Sequence, residues 1–453
     1  MGPGTLQEPE TPPTAELPEQ LRILDANAAE LIRQGRHDDA ERVVGQIVAS
    51  APRHVPGLQY LAGRALARND LDTAQSHLEQ AIRCAPRAEG LHQNLGIVLR
   101  AKGFPAGALK AFGHALRIAP DMGMIWIQMG DVLQALGRHE ESLAAYCRGE
   151  RILGFLPRAA AASGGRVRRA LMRAARTLQQ GRVTFTNQAL DDVRSRYPGA
   201  LDRAEQTLGT LLKLRPAELA DPLQRPELAY FPGIEASPFY DRGRFRALQE
   251  LEAATDEIRG ELSALLGQKD VLSPYVDLPT EPPPQWQALN GSVAWGSYHL
   301  YKNGERVSAH CKRCPATHAA IEALPLPRVP GQSPEAFFSI LEPGTHIPPH
   351  CGLANYKLTV HLPLIAPAGC SIRVGDETRG WTEGECLVFD DSFEHEAWNK
   401  SESLRAVLIL EAWHPDVTEP EREFLATAVA AVDRFNRKQN RLAERLIPAA
   451  MAT

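Results

Sequence analysis

SILEPGTHIPPHCGLANYKLTVHLPL, residues 339–364, decides how the second half of this chain is read. It opens on the end of an apolar run, breaks at Glu342-Pro343-Gly344, and resumes at Tyr356 with alternating character. Short β-branched and aromatic runs between Pro- and Gly-containing turns are the pattern of strands. The pattern continues on both sides. Upstream lie SYHLYKNGE (297–305), ending in an Asn-Gly turn, and AFFSILEPG (336–344). Downstream lie SIRVGDETRGW (371–381), ECLVFDD (385–391) and RAVLILEAW (405–413). From about Trp295 onward the chain therefore predicts a barrel or sandwich. EREFLATAVAAVDRFNRKQNRLAERL (421–446) predicts a closing helix.

Of the 14 histidines, His346, His350, His361 and His395 fall in this region, at strand ends or beside turns. His350 ends a Pro-rich approach and His395 follows an apolar strand in a carboxylate-rich turn. Imidazole is a ligand for Fe, Zn or Cu, and the mouth of a small barrel is a dry place for a metal with open positions. On spacing alone the two histidines stand open between metal ligands and hydrogen-bonded structural residues.

The first third of the chain carries a different signal. Ala40, Ala74, Ala108 and Ser142 recur every 34 residues, in the contexts GRHDDA, NDLDTA, GFPAGA and GRHEES. Gly35, Asn69, Gly103 and Gly137 keep the same spacing, as do Pro52, Pro86 and Pro120. A column of small residues (Ala28, Ala62, Gly96, Gly130) and an apolar column (Val44, Leu78, Phe112, Tyr146) repeat with them. Small residues allow close helix approach, Gly or Asn suits a left-handed turn between helices, and Pro ends each second helix. The pattern resembles the tetratricopeptide repeat and covers residues 21–155. Such solenoids present a concave surface to proteins or peptides. Residues 156–222 read as a helical connector, with prolines clustering from Arg215 to Asp241.

Composition bounds the rest. The chain has 453 residues, with Lys+Arg 50 against Asp+Glu 55 and a net charge of −5. This argues against nucleic-acid binding through a generally basic surface. No run approaches the ~20 apolar residues of a membrane span. Residues 1–20 lack the basic and apolar regions of a secretory signal and fail the myristoylation pattern at Leu6, reading as a Pro-rich disordered tail. Seven cysteines are few and odd in number, which points to a reducing cytoplasm rather than a disulfide scaffold. Cys311 and Cys314 form CKRCP, open to half a zinc site, a redox pair or a loop staple, with two unpaired thiols the plainer reading.

Taken together, residues 339–364, GWTEGECLVFDDSFEHEAWN (380–399) and LRAVLILEAWHP (404–415) closely resemble the catalytic domain of the aspartyl/asparaginyl β-hydroxylase family. YFPGI (230–234) and WGSYHLYKNGE (295–305) fit the same resemblance. It implies an α+β multidomain chain, with an N-terminal α-solenoid of tetratricopeptide repeats followed by a double-stranded β-helix (jelly-roll) oxygenase domain. The boundaries so drawn are a tail over 1–20, repeats over 21–155, a connector over 156–222, the oxygenase domain over 223–420, and a helix and tail over 421–453.

The resemblance also implies the chemistry: an Fe(II)- and 2-oxoglutarate-dependent dioxygenase using O2 to hydroxylate an unactivated C–H. His350 and His395 would be the iron ligands and catalytic centre. Position 352, where many related oxygenases carry a carboxylate, is Gly352, as this family characteristically has it. Asp390, Asp391 or Glu394 are open as hidden ligands or outer-shell partners. Arg405 and Ser339 would hold the distal carboxylate of 2-oxoglutarate, and His361 the other, or serve structurally. Protein-hydroxylating members carry further basic residues where this chain has Thr359 and Phe337, while Lys357 keeps one charge. Asn355 and Lys357 are the candidate substrate contacts. The repeats favour a protein or peptide substrate, with an Asp/Asn-type residue the family precedent. A repeat adaptor with a decayed barrel and a small-molecule biosynthetic hydroxylase are the alternatives.

Overall fold

The structure, a computed structural model, describes residues 18–278 and 282–447. Most of the expected disordered tail, residues 1–17, lies outside the described residues. Among the described residues the chain divides into two compact units, one ending at residue 178 and resuming at 436, the other lying between them from 179 to 435.

In the first unit the 34-residue columns become helix pairs: α1 (Glu19–Arg33) with α2 (His37–Ser50), α3 (Val55–Ala67) with α4 (Leu71–Cys84), α5 (Glu89–Ala101) with α6 (Pro105–Ile118), and α7 (Gly123–Ala135) with α8 (His139–Leu153). Gly35, Asn69, Gly103 and Gly137 all turn at positive φ, between 61° and 79°, which is why only Gly or Asn occupies that column. Ala40, Ala74, Ala108 and Ser142 are fully buried. The small and apolar columns are matched in size. Where the second helix carries Phe112 or Tyr146, the first carries Gly96 or Gly130, and a Cβ at either glycine would come within 2.5 Å of the ring. Where the second helix carries Val44 or Leu78, the first carries Ala28 or Ala62. Beyond α9 (Leu156–Ala161), Ala443 of the final helix is buried with Trp126, Met129 and Ala144 of the last pairs.

The connector is not a body of its own. Helix α10 (Gly165–Arg196) gives residues up to Leu178 to the first unit and the rest to the second. Leu190 and Val193 of α10, with Ala204, Leu208 and Leu211 of α11 (Asp202–Leu211), are buried against Tyr356, Phe424 and Leu425. Apolar faces on those helices had no partner visible in sequence. The closing helix is α16 (Glu419–Leu446), and it too is shared, at Phe435.

The second unit holds two antiparallel sheets. The strands are β1 (Phe239–Tyr240), β2 (Ser273–Pro274), β3 (Trp295–Lys302), β4 (Glu305–Arg306), β5 (Ala336–Leu341) and β6 (His346–His350). They continue with β7 (Lys357–Ile365), β8 (Cys370–Val374), β9 (Glu377–Arg379), β10 (Leu387–Phe389), β11 (His395–Asn399) and β12 (Arg405–Trp413). The larger sheet runs β1-β10-β7-β12-β5-β3-β2, with β4 on β3, and the smaller runs β6-β11-β8-β9. This is the jelly-roll form of the double-stranded β-helix. Side chains alternate faces along a strand. Even-numbered residues such as Tyr298, Phe338, Ile340, Leu358, Val360 and Leu408 therefore share one core. That core lies under the short helices α12 (Leu248–Ala253), α13 (Thr255–Leu266), α14 (Ser308–Arg313) and α15 (Pro315–Glu322). Cys311 and Cys314 are buried in it as free thiols, with burial pushing Cys314 up to about 12. The unpaired-thiol reading of CKRCP is the one the fold supports.

Candidate active site

The odd-numbered residues of the larger sheet face the other way, onto a cavity of about 660 Å³. Trp295 and His299 of β3, Phe337 and Ser339 of β5, Lys357, Thr359 and His361 of β7, and Arg405 and Glu411 of β12 all line it. The smaller sheet adds His350 and His395.

Those two histidines are direct neighbours. His350 ends β6, His395 begins β11, and the two are paired across the ladder with ring centroids 4.1 Å apart. Neither segment was legible as a strand in advance, because two prolines interrupt the first and carboxylates crowd the second. In each ring Nδ1 lies on a nearby carbonyl, Pro348 O at 2.8 Å and Phe393 O at 3.0 Å. That bond fixes the proton on Nδ1 and leaves the Nε2 lone pair free. Burial lowers both rings to about 4, so both are neutral near pH 7 and fit to bind a metal. Among the described residues no group of three or more His, Cys, Asp or Glu side chains is arranged to hold a metal. The nitrogen donors that the cavity offers a metal are these two imidazoles.

Asp391 explains the glycine at 352. A Cβ on Gly352 would overlap the Asp391 carboxyl. Asp391 Oδ2 accepts from Thr359 Oγ1 at 3.1 Å, its Oδ1 is buried without a donor, and burial raises its pKa. Its neighbour Asp390 faces away from the cavity, where Gln224 Nε2 and Ser392 donate to it, and burial raises it to about 7.

At the other end of β12, Arg405 is only 1% exposed, and no carboxylate pairs with it among the described residues. Its Nη1 reaches Ser339 Oγ at 3.2 Å, and its Nε is buried without an acceptor. Burial lowers the guanidinium to about 10. A desolvated cation without a counter-ion is costly and calls for an anion. Two tryptophans that sequence reading passed over complete this end. Trp295 Nε1 donates to Ser339 Oγ at 3.1 Å, which frees the Ser339 hydrogen for another acceptor. Trp381 lies 4.9 Å from the Arg405 guanidinium and donates to His361 Nδ1 at 3.2 Å, so neutral His361 carries its proton on Nε2. Burial, then Arg405, keeps His361 neutral. A tryptophan beside a glycine in a polar turn, as in Arg379-Gly380-Trp381, was the only signal available.

The two substrate candidates separate. Lys357 lines the cavity, but its ammonium is paired with Glu411 and lies 3.3 Å from Ser333 Oγ. Burial alone would push it down, and the carboxylates of Glu411 and Asp391 hold it up. Asn355 does not line the cavity. It is fully buried, its Oδ1 accepting from Phe231 N at 2.6 Å and its Nδ2 donating to Phe231 O at 2.9 Å. The expectation of substrate contact there is corrected to a backbone clamp. Segment 223–231 uses that clamp, together with Glu227 N to Gly352 O and Arg225 N to Ser392 O, to brace the loops following His350 and preceding His395.

Residues 252–415 match the family profile described as aspartyl/asparaginyl beta-hydroxylase. The human aspartyl/asparaginyl beta-hydroxylase is 34% identical over 198 residues, 43% of this chain and 25% of that protein. The ornithine lipid ester-linked acyl 2-hydroxylase of Rhizobium tropici is 35% identical over 39% of this chain and 61% of its own length. Human aspartate beta-hydroxylase domain-containing protein 2 is 30% identical over 50% of this chain and 59% of its own length. The chain thus spans between a quarter and about three-fifths of these relatives. The likeness to the aspartyl/asparaginyl β-hydroxylase family thus covers residues 252–415 of this chain.

Proposed function

We propose that the second unit is an Fe(II)- and 2-oxoglutarate-dependent hydroxylase. The observation that carries this reading is Arg405, a buried guanidinium lacking a carboxylate and set in the same cavity as two neutral, ligand-ready imidazoles. A dicarboxylate would offer one carboxylate to Arg405 and the other to a metal held by the two imidazoles. The Arg405 guanidinium and the Ser339 hydroxyl would bind its distal carboxylate, a charge-assisted contact made stronger by desolvation. His361 Nε2–H would donate toward its other end. His350 and His395 would hold Fe(II) through Nε2. Bound iron supplies the oxidising chemistry, in which O2 and 2-oxoglutarate yield succinate and CO2 and one oxygen atom enters a substrate C–H. The protein's own part is positioning and exclusion of water. Trp381 fixes the His361 tautomer, Trp295 aims the Ser339 hydroxyl, and the 223–231 segment holds the histidine-bearing loops.

The names of the relatives span an amino-acid side chain and a lipid acyl group, so the likeness leaves the substrate class open. The repeats favour a recruited protein or peptide, because solenoids of this type present a concave surface to such partners. Incubating the full chain with Fe(II) and 2-oxoglutarate should yield succinate. His350→Ala and His395→Ala should each reduce the rate by roughly 100-fold or more, on the scale of losing a group that acts at the reacting centre. Equal rates in wild type and both variants would overturn the reading.

A further inference from the structure

The cavity is polarised along its strands. Arg405 and Glu411 sit on the same face of β12 six residues apart, a separation of roughly 20 Å. The Arg405 end carries the donors described above. At the Glu411 end, register places Glu411 opposite Thr359, and His299 opposite Phe337. Glu335 N donates to Glu411 Oε2 at 3.0 Å, and Glu335 Oε2 lies 3.5 Å from His299 Nδ1. Asp391 joins them through Thr359.

Charge at this end is one-sided. Glu335, Glu411 and Asp391 line it, against Lys357 and Lys302. Lys357 is committed to Glu411, and Lys302 is exposed at the rim. Among the described residues no buried cation remains here for a substrate carboxylate, while the Oδ1 of Asp391 lacks a donor. An independent feature of the same wall also favours positive charge. Tyr275 stacks on Trp295 at 4.1 Å and on Phe337 at 5.2 Å, and Phe337 stacks on His299 at 4.7 Å. Aromatic rings along a cavity wall attract a cation through the ring quadrupole, and Tyr275, 42% exposed, leaves this wall open to an incoming group.

Resting on the hydroxylase reading for the identity of the cavity, we infer that the Glu411 end receives a cationic group of the substrate, an ammonium on an apolar arm, and not a carboxylate. The arm lies along the Tyr275–Phe337 wall and its charge meets Glu335 and the Glu411–Lys357 pair. A lysine-type side chain of a protein and a free alkyl amine share this chemistry.

Ligand-observed NMR on the full chain tests it without needing turnover. Three probes are titrated at constant ionic strength with saturating 2-oxoglutarate: Nα-acetyl-lysine N-methylamide, butylammonium, and Nα-acetyl-aspartate N-methylamide. Capped lysine should bind at least about tenfold more tightly than capped aspartate, a gap that one unscreened charge pair can supply. Glu335→Gln should narrow the gap about threefold or more, and Phe337→Lys should reverse it. Capped lysine exceeding butylammonium identifies a peptide source, and equal binding a free amine. Aspartate binding as well as lysine, or a gap unmoved in both variants, would overturn the inference. A chain that binds lysine but forms no succinate would instead count against the hydroxylase reading alone.

Discussion

The Asp391 carboxyl occupies the space that a side chain at Gly352 would need, and Gly352 N donates to Asp391 O at 2.6 Å. The glycine at 352 is therefore a packing requirement. Gly352→Ala should displace Asp391 from Thr359 and cost about 1–3 kcal/mol of stability, the usual penalty of overpacking. In an Asp391→Gly background the same change should cost almost nothing. Urea unfolding of the four proteins measures the coupling, and additive penalties would refute the steric account. Gly352→Asp should likewise fail to tighten iron binding.

On the proposed reading, Arg405 trades stability for ligand binding. Replacing it with Met removes a buried cation without a carboxylate, so the ligand-free protein should gain about 1–4 kcal/mol. 2-Oxoglutarate at 100 times its Kd should stabilise wild type by about 2.7 kcal/mol and the variant not at all. Thermal unfolding with and without 2-oxoglutarate reads both effects. A variant that is less stable yet still responds to 2-oxoglutarate would contradict this assignment.

Asp390 gives a pH dependence with a definite sign. Its folded value, about 7, stands above the unfolded 3.8, so the folded state holds the proton more tightly. The stability it contributes is complete below about pH 4 and is lost as pH rises through 7. Asp390→Asn should therefore gain on wild type as pH rises across that window, by a few kcal/mol in order of magnitude. Gln224 Oε1, buried without a donor, becomes an acceptor for the new amide after an amide flip. Chemical denaturation of both proteins at pH 4.5 and 7.5 measures the change, and a constant difference would rule it out.

In the repeats, Gly96→Ala should cost about 1–3 kcal/mol, because the new methyl meets the Phe112 ring at 2.5 Å. Adding Phe112→Leu should recover most of that loss, since Ala62 with Leu78 is the same pairing one repeat earlier. Circular-dichroism melts of the three proteins decide it.

The 34-residue period determined the helix pairs because each column serves a local need: a left-handed turn, a small contact, a helix end. Alternation determined the strands of the larger sheet for the same reason, since period 2 decides which face each residue joins. The motifs carried His350, His395, Ser339, His361 and Arg405 to one site. What sequence could not settle depends on partners distant along the chain. Whether Asn355 faces a substrate or the Phe231 backbone was decided by a contact across 124 residues. Lys357 was a free charge in sequence and an ion pair in the fold, because Glu411 lies 54 residues away. The connector lost its independence once its apolar faces found Tyr356 and Phe424. Local propensity is written in neighbouring residues, whereas the charge state and exposure of a side chain depend on which strands and helices pack around it. Only tertiary structure decides that.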